Sequence, residues 1–295
     1  MVTVNLNALN NDTAVVTAPR ERPHGASIRA HLLVLISAVT IPLLVLSTVL
    51  GFANANAQRR AIEAVRRDVA GNLTHLLDRE FTRVIAVLQT LADMAELDTM
   101  PSPAFRQLAA TIATAHGLDA IGVFDRAGQL LATSLPLLTL PIRTDMTPIA
   151  AAFDGRVAIS GFQIGLVTKN PLFIVSVPIR RNGTIATVLT AGVGPARLSE
   201  LFAEAGLKAD WPAAIVDRNG IFMSRSLDNA LYMGRLARPQ IVAIAKSQDI
   251  EGSFDNVTHE GTAVTNAFRR SLESGWTVVV AVPRSEIDEI GRAHV

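Results

Sequence analysis

The stretch Val123-Phe-Asp-Arg-Ala-Gly-Gln-Leu-Leu-Ala-Thr-Ser134 occurs a second time, in altered form, as Ile215-Val-Asp-Arg-Asn-Gly-Ile-Phe-Met-Ser-Arg-Ser226. Both copies read two apolar residues, Asp-Arg-x-Gly, mostly apolar residues and a polar end, and Asp217 follows Asp125 by 92 positions. An aspartate and a glycine at this spacing bracket a tight turn between two β-prone runs. The two copies therefore predict two β-hairpins, each in one of two related units in tandem.

The sequence around each copy predicts further helices and strands, which follow one another in the same order in both units. Asn182-Gly183 between two β-rich runs is a strong signal for a further hairpin, and the turn Glu273–Gly275 has the same place in the second unit. The other predicted elements are helices at 104–116 and 196–206, a short helix ending near 154–155, strands at 120–125, 129–133, 157–164, 172–179 and 184–191, and a hairpin at 261–282. This order predicts an α+β fold with antiparallel sheets.

An apolar run precedes both units. Leu32–Phe52 has 21 residues without a charge, which as a helix would extend about 30 Å, the thickness of a bilayer core. The alternative is a cleaved signal peptide, because Ala53–Ala57 offers A-x-A sites, but signal cores are shorter, about 7–15 residues. We therefore expect an uncleaved anchor. The arginines on its two sides do not decide its orientation, and we place the short preceding tail inside the cell.

A long amphipathic pattern follows the apolar run. From Ile62 to Ala95 an apolar residue recurs on average about every 3.7 positions, close to the period of an α-helix. Pro101 and Pro103 are predicted to end this helix of about 40 residues. It would pack on its own domain or on a second copy, and it could carry a signal to the membrane.

Composition and motifs exclude several classes of protein. The chain has 295 residues, no cysteine and a formal net charge of +1, which excludes disulfide scaffolds and cysteine-ligated metals and argues against a nucleic-acid binder. The histidines lack metal-ligand spacing, and Gly192-Val-Gly194 is followed by Arg197 where a dinucleotide loop needs its third glycine. We expect no metal, no cofactor and no catalytic activity in the chain as given, although a periplasmic hydrolase of unrecognised fold stays an alternative.

Several stretches carry a resemblance to a known family. They are the linker Thr190-Ala-Gly-Val-Gly-Pro-Ala-Arg-Leu-Ser-Glu-Leu-Phe202, Tyr232-Met-Gly234 with Gly252, Ala267-Phe-Arg-Arg-Ser-Leu-Glu-Ser-Gly-Trp276 and Val278-Val-Val-Ala-Val-Pro283. With the two hairpin copies, they resemble the double Cache domain, a PAS-like extracytoplasmic sensor of bacterial membrane receptors, over about residues 32–288. The resemblance implies an N-terminal transmembrane helix, a long stalk helix and two tandem PAS-like modules.

The expected organisation has six parts. They are a disordered cytoplasmic tail at 1–30, a transmembrane helix at 31–54, a stalk helix at 55–99, a membrane-distal Cache module at 100–194, a membrane-proximal Cache module at 195–288, and an artefactual tail at 289–295. Glu289-Ile-Gly-Arg-Ala-His-Val295 reads like the translation of a common sequencing adapter, so we expect a truncated chain whose output domain lies further on. The alternative is a natural C-terminus just before the membrane.

The resemblance also implies a ligand pocket in the membrane-distal module. The candidate residues are polar or aromatic and lie on its strands and irregular middle: Phe124, Arg143, Asp145, Phe162, Gln163, Phe173, Ser176 and Thr187. An arginine with an acid suits a small zwitterion or carboxylate. The alternative is that the phenylalanines belong to the core and that Arg143 and Asp145 are solvated loop charges. Amino-acid-binding members carry Tyr and Trp in this module, and residues 100–194 contain neither.

The predicted function is the sensing part of a receptor in the bacterial inner membrane. By resemblance the parent is a sensor histidine kinase that binds a small molecule outside the cytoplasm and signals through the long helix as a homodimer. Alternatives are the sensor of a diguanylate cyclase or chemoreceptor, and a secreted, signal-peptide-cleaved binding protein. The expected partners are the ligand, the lipid bilayer and a second copy of the chain, without nucleic acid.

Overall fold

A computed structural model describes residues 28–94 and 103–285. Most of the tail predicted at 1–30, the proline stop at 101 and the tail predicted at 289–295 lie outside the described residues. The chain divides into two compact units, residues 1–54 and residues 55–295, which are described separately.

The first unit contributes the apolar part of a helix. Helix α1 spans Ile28–Ala92, and its stretch Leu35–Ala53 has 19 residues with a mean hydropathy of 2.2. Its leucines are more than half exposed. By length and composition this stretch could cross a bilayer, as predicted, although a signal sequence near the N-terminus would have the same properties.

The second unit contains the rest of α1 and all other elements. The helices are α2 (Pro103–His116), α3 (Ala150–Phe153), α4 (Ala196–Glu204), α5 (Asn229–Tyr232) and α6 (Pro239–Lys246). The strands are β1 (Ala120–Asp125), β2 (Leu130–Thr133), β3 (Ala158–Ile159), β4 (Gln163–Ile164), β5 (Pro171–Arg181), β6 (Thr184–Val193), β7 (Ala213–Val216), β8 (Phe222–Arg225), β9 (Glu251–Val257), β10 (Ala263–Arg270) and β11 (Thr277–Pro283).

These strands form two sheets with the same connectivity. The first sheet has the order β2-β1-β6-β5-β3, with β4 also paired to β5, and the second sheet has the order β8-β7-β11-β10-β9. Every pairing is antiparallel. The predicted α+β class with two antiparallel sheets is therefore confirmed.

The repeated Asp-x-x-Gly pattern forms the turn of the first hairpin in each sheet. Asp125 accepts the backbone N–H of Gln129 at 2.8 Å, and Asp217 accepts that of Ile221 at 2.9 Å. Gly128 and Gly220 have φ of +82° and +80°, a region that costs other residues about 1–2 kcal/mol. The repeat is thus two copies of one hydrogen-bonded turn.

The strand predicted at 157–164 is split into β3 and β4. Between them the backbone N–H of Phe162 donates to Oδ2 of Asp217 at 3.1 Å instead of to a neighbouring strand. Arg218, on the same turn, donates to the carbonyl of Ile159 at 3.1 Å. The turn of the second sheet therefore interrupts an edge strand of the first, a contact between segments 55–59 residues apart that local patterning cannot predict.

Helix α1 ends at Ala92, earlier than the predicted end near residue 99. Arg181, at the end of β5, donates to the carbonyls of Ala92 and Met94 at 3.0 and 2.9 Å. Because these carbonyls lack helical partners, an arginine that satisfies them stabilises the helix end. The predicted apolar stripe is confirmed from Leu73 to Leu91, where its members are fully buried.

Three aromatic rings join α1 to both sheets. Phe81 of α1, Phe173 of β5 and Trp276, which precedes β11, have no exposed surface. The centroid of Trp276 lies 5.1 Å from those of Phe81 and Phe173, and the two phenylalanines are 5.7 Å apart. All three pairs are edge-to-face, the arrangement that the ring quadrupoles favour. We call these residues the aromatic triad.

A buried carboxylate joins α1 to the helix between the sheets. Glu80 is 3% exposed, and its oxygens lie 2.5 Å from Nη2 of Arg83 and 3.3 Å from Nε of Arg197 in α4. Burial alone would raise the pKa of Glu80, but the hydrogen bonds and charges of Arg83 and Arg197 outweigh it and hold the pKa below its ordinary value of 4.5.

We expect Phe81→Ala to destabilise the chain by about 3–5 kcal/mol, because it removes a fully buried ring and leaves a cavity between both sheets. The melting temperature of the full chain in detergent, followed by circular dichroism, should fall by about 10 °C. Leu138→Ala is the control, since Leu138 is fully exposed. Equal melting of the two variants would contradict the role of the triad.

Glu80→Gln should destabilise the chain at pH 7 by about 1–3 kcal/mol, because it removes one charge from a buried ion pair. Since the folded-state pKa of Glu80 is lowered, its stabilisation is complete above 4.5 and is lost as the pH falls through the lowered value. The difference in melting temperature from the unsubstituted chain should therefore shrink in acid. Asp210→Asn changes an exposed carboxylate and is the control; it should have the melting temperature of the unsubstituted chain at every pH. If the difference for Glu80→Gln did not change with pH, the buried ion pair of Glu80 would not explain it.

Candidate functional site

The first sheet has two buried faces, and a cavity lies on one of them. Side chains alternate along a strand, so Ile121 and Val123 of β1 join the core that includes α1, while Phe124 belongs to a second apolar cluster with Leu130 and Leu172. Two loops, one with Leu135 and Arg143 and one with residues 165–168, line this second face. We call the space between them the first cavity.

The first cavity encloses about 60 Å³, and the empty space in and around it, part of it open to solvent, amounts to about 480 Å³. Its walls are mainly aliphatic. Strands β1, β2, β5 and β6 and two loops supply the lining residues Ala120, Ile121, Gly122, Phe124, Leu130, Thr133, Leu135, Arg143, Gly165, Leu166, Val167, Thr168, Leu172, Ile174, Thr190 and Gly192.

Arg143 is the charged residue of this lining. It is 9% exposed, and its guanidinium carbon lies 5.6 Å from the ring centroid of Phe124. Its Nε is buried and has no hydrogen-bond partner among the described residues. Burial lowers the pKa of Arg143, and the charge of Asp145 opposes this; an arginine nevertheless stays protonated in proteins. The cavity therefore presents a cation with an unused donor in an apolar wall.

The hairpin turn of the repeat holds Arg143 in place. The backbone N–H of Arg143 donates to the carbonyl of Gly128 at 2.7 Å, and that of Leu130 donates to the carbonyl of Pro141 at 3.2 Å. The side chain of Gln129 donates to the carbonyl of Leu140 at 3.1 Å. A Cβ on Gly128 would collide with the Arg143 carbonyl oxygen, so the glycine of the motif makes room for the segment that carries the arginine.

Of the eight predicted site residues, Phe124 and Arg143 line the first cavity. Asp145 does not join them: its side chain is exposed and accepts the backbone N–H of Thr147 at 3.0 Å. The hydrogen bonds with Thr147 hold its pKa below the ordinary value. The predicted pairing of an acid with Arg143 inside the pocket is therefore absent from the described lining.

The other five candidates also lie outside this lining. Phe173 belongs to the aromatic triad, where its fully buried ring packs edge-to-face on two others, and it does not line the first cavity. Ser176 is fully buried in β5. Phe162 packs over Gly234 beside the second sheet, and Gln163 and Thr187 are half-buried in β4 and β6.

Sequence reasoning missed most of the polar and loop lining. Thr133, Thr168 and Thr190 line the cavity, as do Leu166 and Val167 of the loop before β5. Thr133 has the position in the repeat that Arg225 has in the second copy, and this match could have identified Thr133 as a lining residue. The loop residues gave no such signal, because their role depends on where the loop folds back.

The lining restricts what the cavity can bind. None of its described residues is acidic, so a ligand ammonium group would find no side-chain counter-charge there, whereas a carboxylate would find Arg143. The aliphatic walls suit a short hydrocarbon chain. Among the described residues no group of three or more His, Asp or Glu could hold a metal ion.

Comparisons with known proteins agree with this architecture. A family model described as "Cache domain" matches residues 53–289. The extracellular domain of rpHK1S-Z16, named for a histidine kinase, is 19% identical and superposes with a TM-score of 0.67 over 77% of this chain and 97% of its own.

Two chemoreceptor domains have the same fold. The ligand-binding domain of Campylobacter jejuni Tlp3, solved with L-valine, is 11% identical with a TM-score of 0.59 over 79% of this chain and 97% of its own. That of Pseudomonas fluorescens CtaA, solved with L-isoleucine, is 13% identical with a TM-score of 0.61 over 81% and 99%. No curated protein sequence matches the chain.

We expect Gly128→Ala to destabilise the chain more than Gly183→Ala does. Both glycines have positive φ, +82° and +78°, so each alanine costs about 1–2 kcal/mol in the backbone. Only the Gly128 variant adds a collision with Arg143, since nothing lies within 4 Å of a Cβ on Gly183. Melting temperatures measure the difference, and equal losses would show that the turn does not support the arginine segment.

Proposed function

The chain belongs to the Cache domain family, and we propose that it is the extracytoplasmic sensing region of a membrane-anchored sensor histidine kinase. The family match over 53–289 supports a sensor. The fold shared with the extracellular domain of rpHK1S-Z16, which is named for a histidine kinase, supports a kinase output. The apolar stretch Leu35–Ala53 supports an anchor in the bacterial inner membrane.

The proposed ligand is a small carboxylate with an aliphatic tail, bound in the first cavity. The observation that carries this is Arg143, which is buried at the cavity with an unpartnered Nε and no acidic neighbour in the described lining. An arginine fork binds a carboxylate through two parallel hydrogen bonds. The tail would replace water against the leucine-rich walls, and Thr133 and Thr168 could accept or donate one further hydrogen bond each.

The proposed signal passes from the first cavity to α1 through β5. Strand β5 carries Ile174 of the cavity lining, Phe173 of the aromatic triad and Arg181, which holds the end of α1. Ligand binding that favours one position of β5 would therefore shift the equilibrium between two positions of α1. We propose that the chain acts as a homodimer, because a helix displacement needs a partner helix to move against.

A matched set of ligands tests the assignment. Isovalerate, L-valine and isobutylamine are titrated calorimetrically into the full chain in detergent micelles. We expect isovalerate to bind, L-valine to bind more weakly because the lining offers no acid for its ammonium group, and isobutylamine not to bind. Arg143→Gln should weaken isovalerate at least about tenfold, the loss expected for one charge-assisted hydrogen bond. Arg106→Gln, a change in an exposed arginine of α2, is the control.

If Arg143→Gln and Arg106→Gln bound isovalerate with equal affinity, the result would contradict binding through Arg143 in the first cavity. L-valine binding more tightly than isovalerate would instead favour an amino-acid ligand, of the kind named for Tlp3 and CtaA.

A further inference from the structure

The second sheet has a cavity at the same place as the first. Strand register relates the two: Ile174 lies beside Gly192 in the first sheet, and Asn266 lies beside Ala281 in the second. All four residues line their respective cavities. We call this space the second cavity; it encloses about 40 Å³, and the empty space in and around it, part of it open to solvent, amounts to about 410 Å³.

The second cavity is more polar than the first at equivalent positions. The repeat aligns Thr133 with Arg225, and the strand register aligns Ile174 with Asn266. A further arginine, Arg238, lines the second cavity. It follows Ala237, whose backbone N–H donates to the carbonyl of Gly220 at 2.8 Å, as Arg143 donates to the matching turn glycine of the first sheet.

Three buried donors of this cavity have no partner among the described residues. They are Nη1 of Arg225, Nε of Arg238 and Nδ2 of Asn266. The side chains of Arg225 and Asn266 are 6% and 3% exposed. A buried donor without an acceptor costs about 1–3 kcal/mol, so three such groups on one cavity require an explanation.

Both arginines are held in position by their remaining groups. Nη2 of Arg225 donates to Glu260 at 3.0 Å, and its guanidinium carbon lies 4.2 Å from the ring centroid of Tyr232. Nη2 of Arg238 donates to the carbonyl of Thr258 at 2.8 Å. The unpartnered donors therefore belong to fixed side chains. Two arginines against one glutamate leave the site with an excess of one positive charge.

We infer that the second cavity is a further ligand site, which binds a short-chain carboxylate through Arg225, Arg238 and Asn266. A carboxylate has acceptors only, which matches a set of donors only. Its short alkyl chain would contact the apolar lining of Phe222, Val264 and Val279. Fully hydrated inorganic anions such as sulfate have no apolar part to place against these side chains.

His259 provides a local reporter. It lines the cavity and stacks on Tyr232, with ring centroids 4.8 Å apart. Burial, then the charges of Arg225 and Arg238, lower its pKa from the ordinary value of 6.5, while Glu260 opposes them. A bound carboxylate adds negative charge near the ring and should raise this pKa.

The test uses sodium propionate with the full chain in detergent micelles. The Arg143→Gln background removes the arginine of the first cavity, so that binding there is weakened at least about tenfold. Calorimetry should show propionate binding in this background, and histidine-selective ¹³C NMR should show the pKa of His259 rising. Sodium sulfate at the same ionic strength should produce neither change.

Two variants locate the binding. Arg238→Gln should weaken propionate at least about tenfold. Asn266→Leu should also weaken propionate binding. Without propionate, this variant should melt no lower than the Arg143→Gln chain, because leucine replaces an unpartnered buried amide with an apolar group of similar size. Arg284→Gln is the control, since Arg284 is half exposed and pairs with Asp255 outside the cavity.

Propionate affinity unchanged in both Arg238→Gln and Asn266→Leu would overturn the inference. So would an equal His259 response to sulfate, or a clear loss of stability in Asn266→Leu without ligand, which would make the amide part of the fold. These results report on the second cavity, because Arg238, Asn266 and His259 line it and do not line the first.

Discussion

The contact among Phe81, Phe173 and Trp276 is the constraint on which the second unit depends. Each ring comes from a different part of the chain, and each is fully buried against the other two at 5.1–5.7 Å. Because edge-to-face packing weakens quickly when rings separate, α1 cannot slide without disturbing Phe173 of the first sheet and Trp276, which precedes β11 of the second. A close-packed interior of this kind tends to hold a few discrete arrangements instead of deforming continuously. Helix α1, strand β5 and the segment before β11 therefore meet at these three rings.

The parts that the sequence could predict are those determined by residues close together in the chain. The Asp-x-x-Gly turns, the Asn182-Gly183 hairpin and the apolar stripe of α1 depend on spacings of a few residues, and they occur where they were predicted. The break between β3 and β4 and the early end of α1 depend on Asp217 and Arg181, which contact them from far along the chain. No local pattern contains that information.

The candidate site divides in the same way. Arg143 was predictable from its residue type and its irregular surroundings, and Phe124 from its place on a strand. The aromatic strand residue Phe173 could not be assigned from sequence, because both faces of the first sheet are buried and strand alternation does not distinguish core from cavity. Asp145 lies outside the lining for a different reason: its side chain, two residues from the cavity arginine, turns outward and bonds to its own loop.

The hydrogen bond from Phe162 to Asp217 has a consequence for the order in which the chain becomes native during synthesis. The donor belongs to the first sheet, and the acceptor is made 55 residues later. The first sheet is complete only when Val193 has been made, 24 residues before Asp217. At the roughly 5–20 residues per second of translation, about one to five seconds pass before this acceptor is made. During that time the segment between β3 and β4 would lack its acceptor, so the edge of the first sheet would be available to neighbouring strands or chaperones until the second sheet arrived.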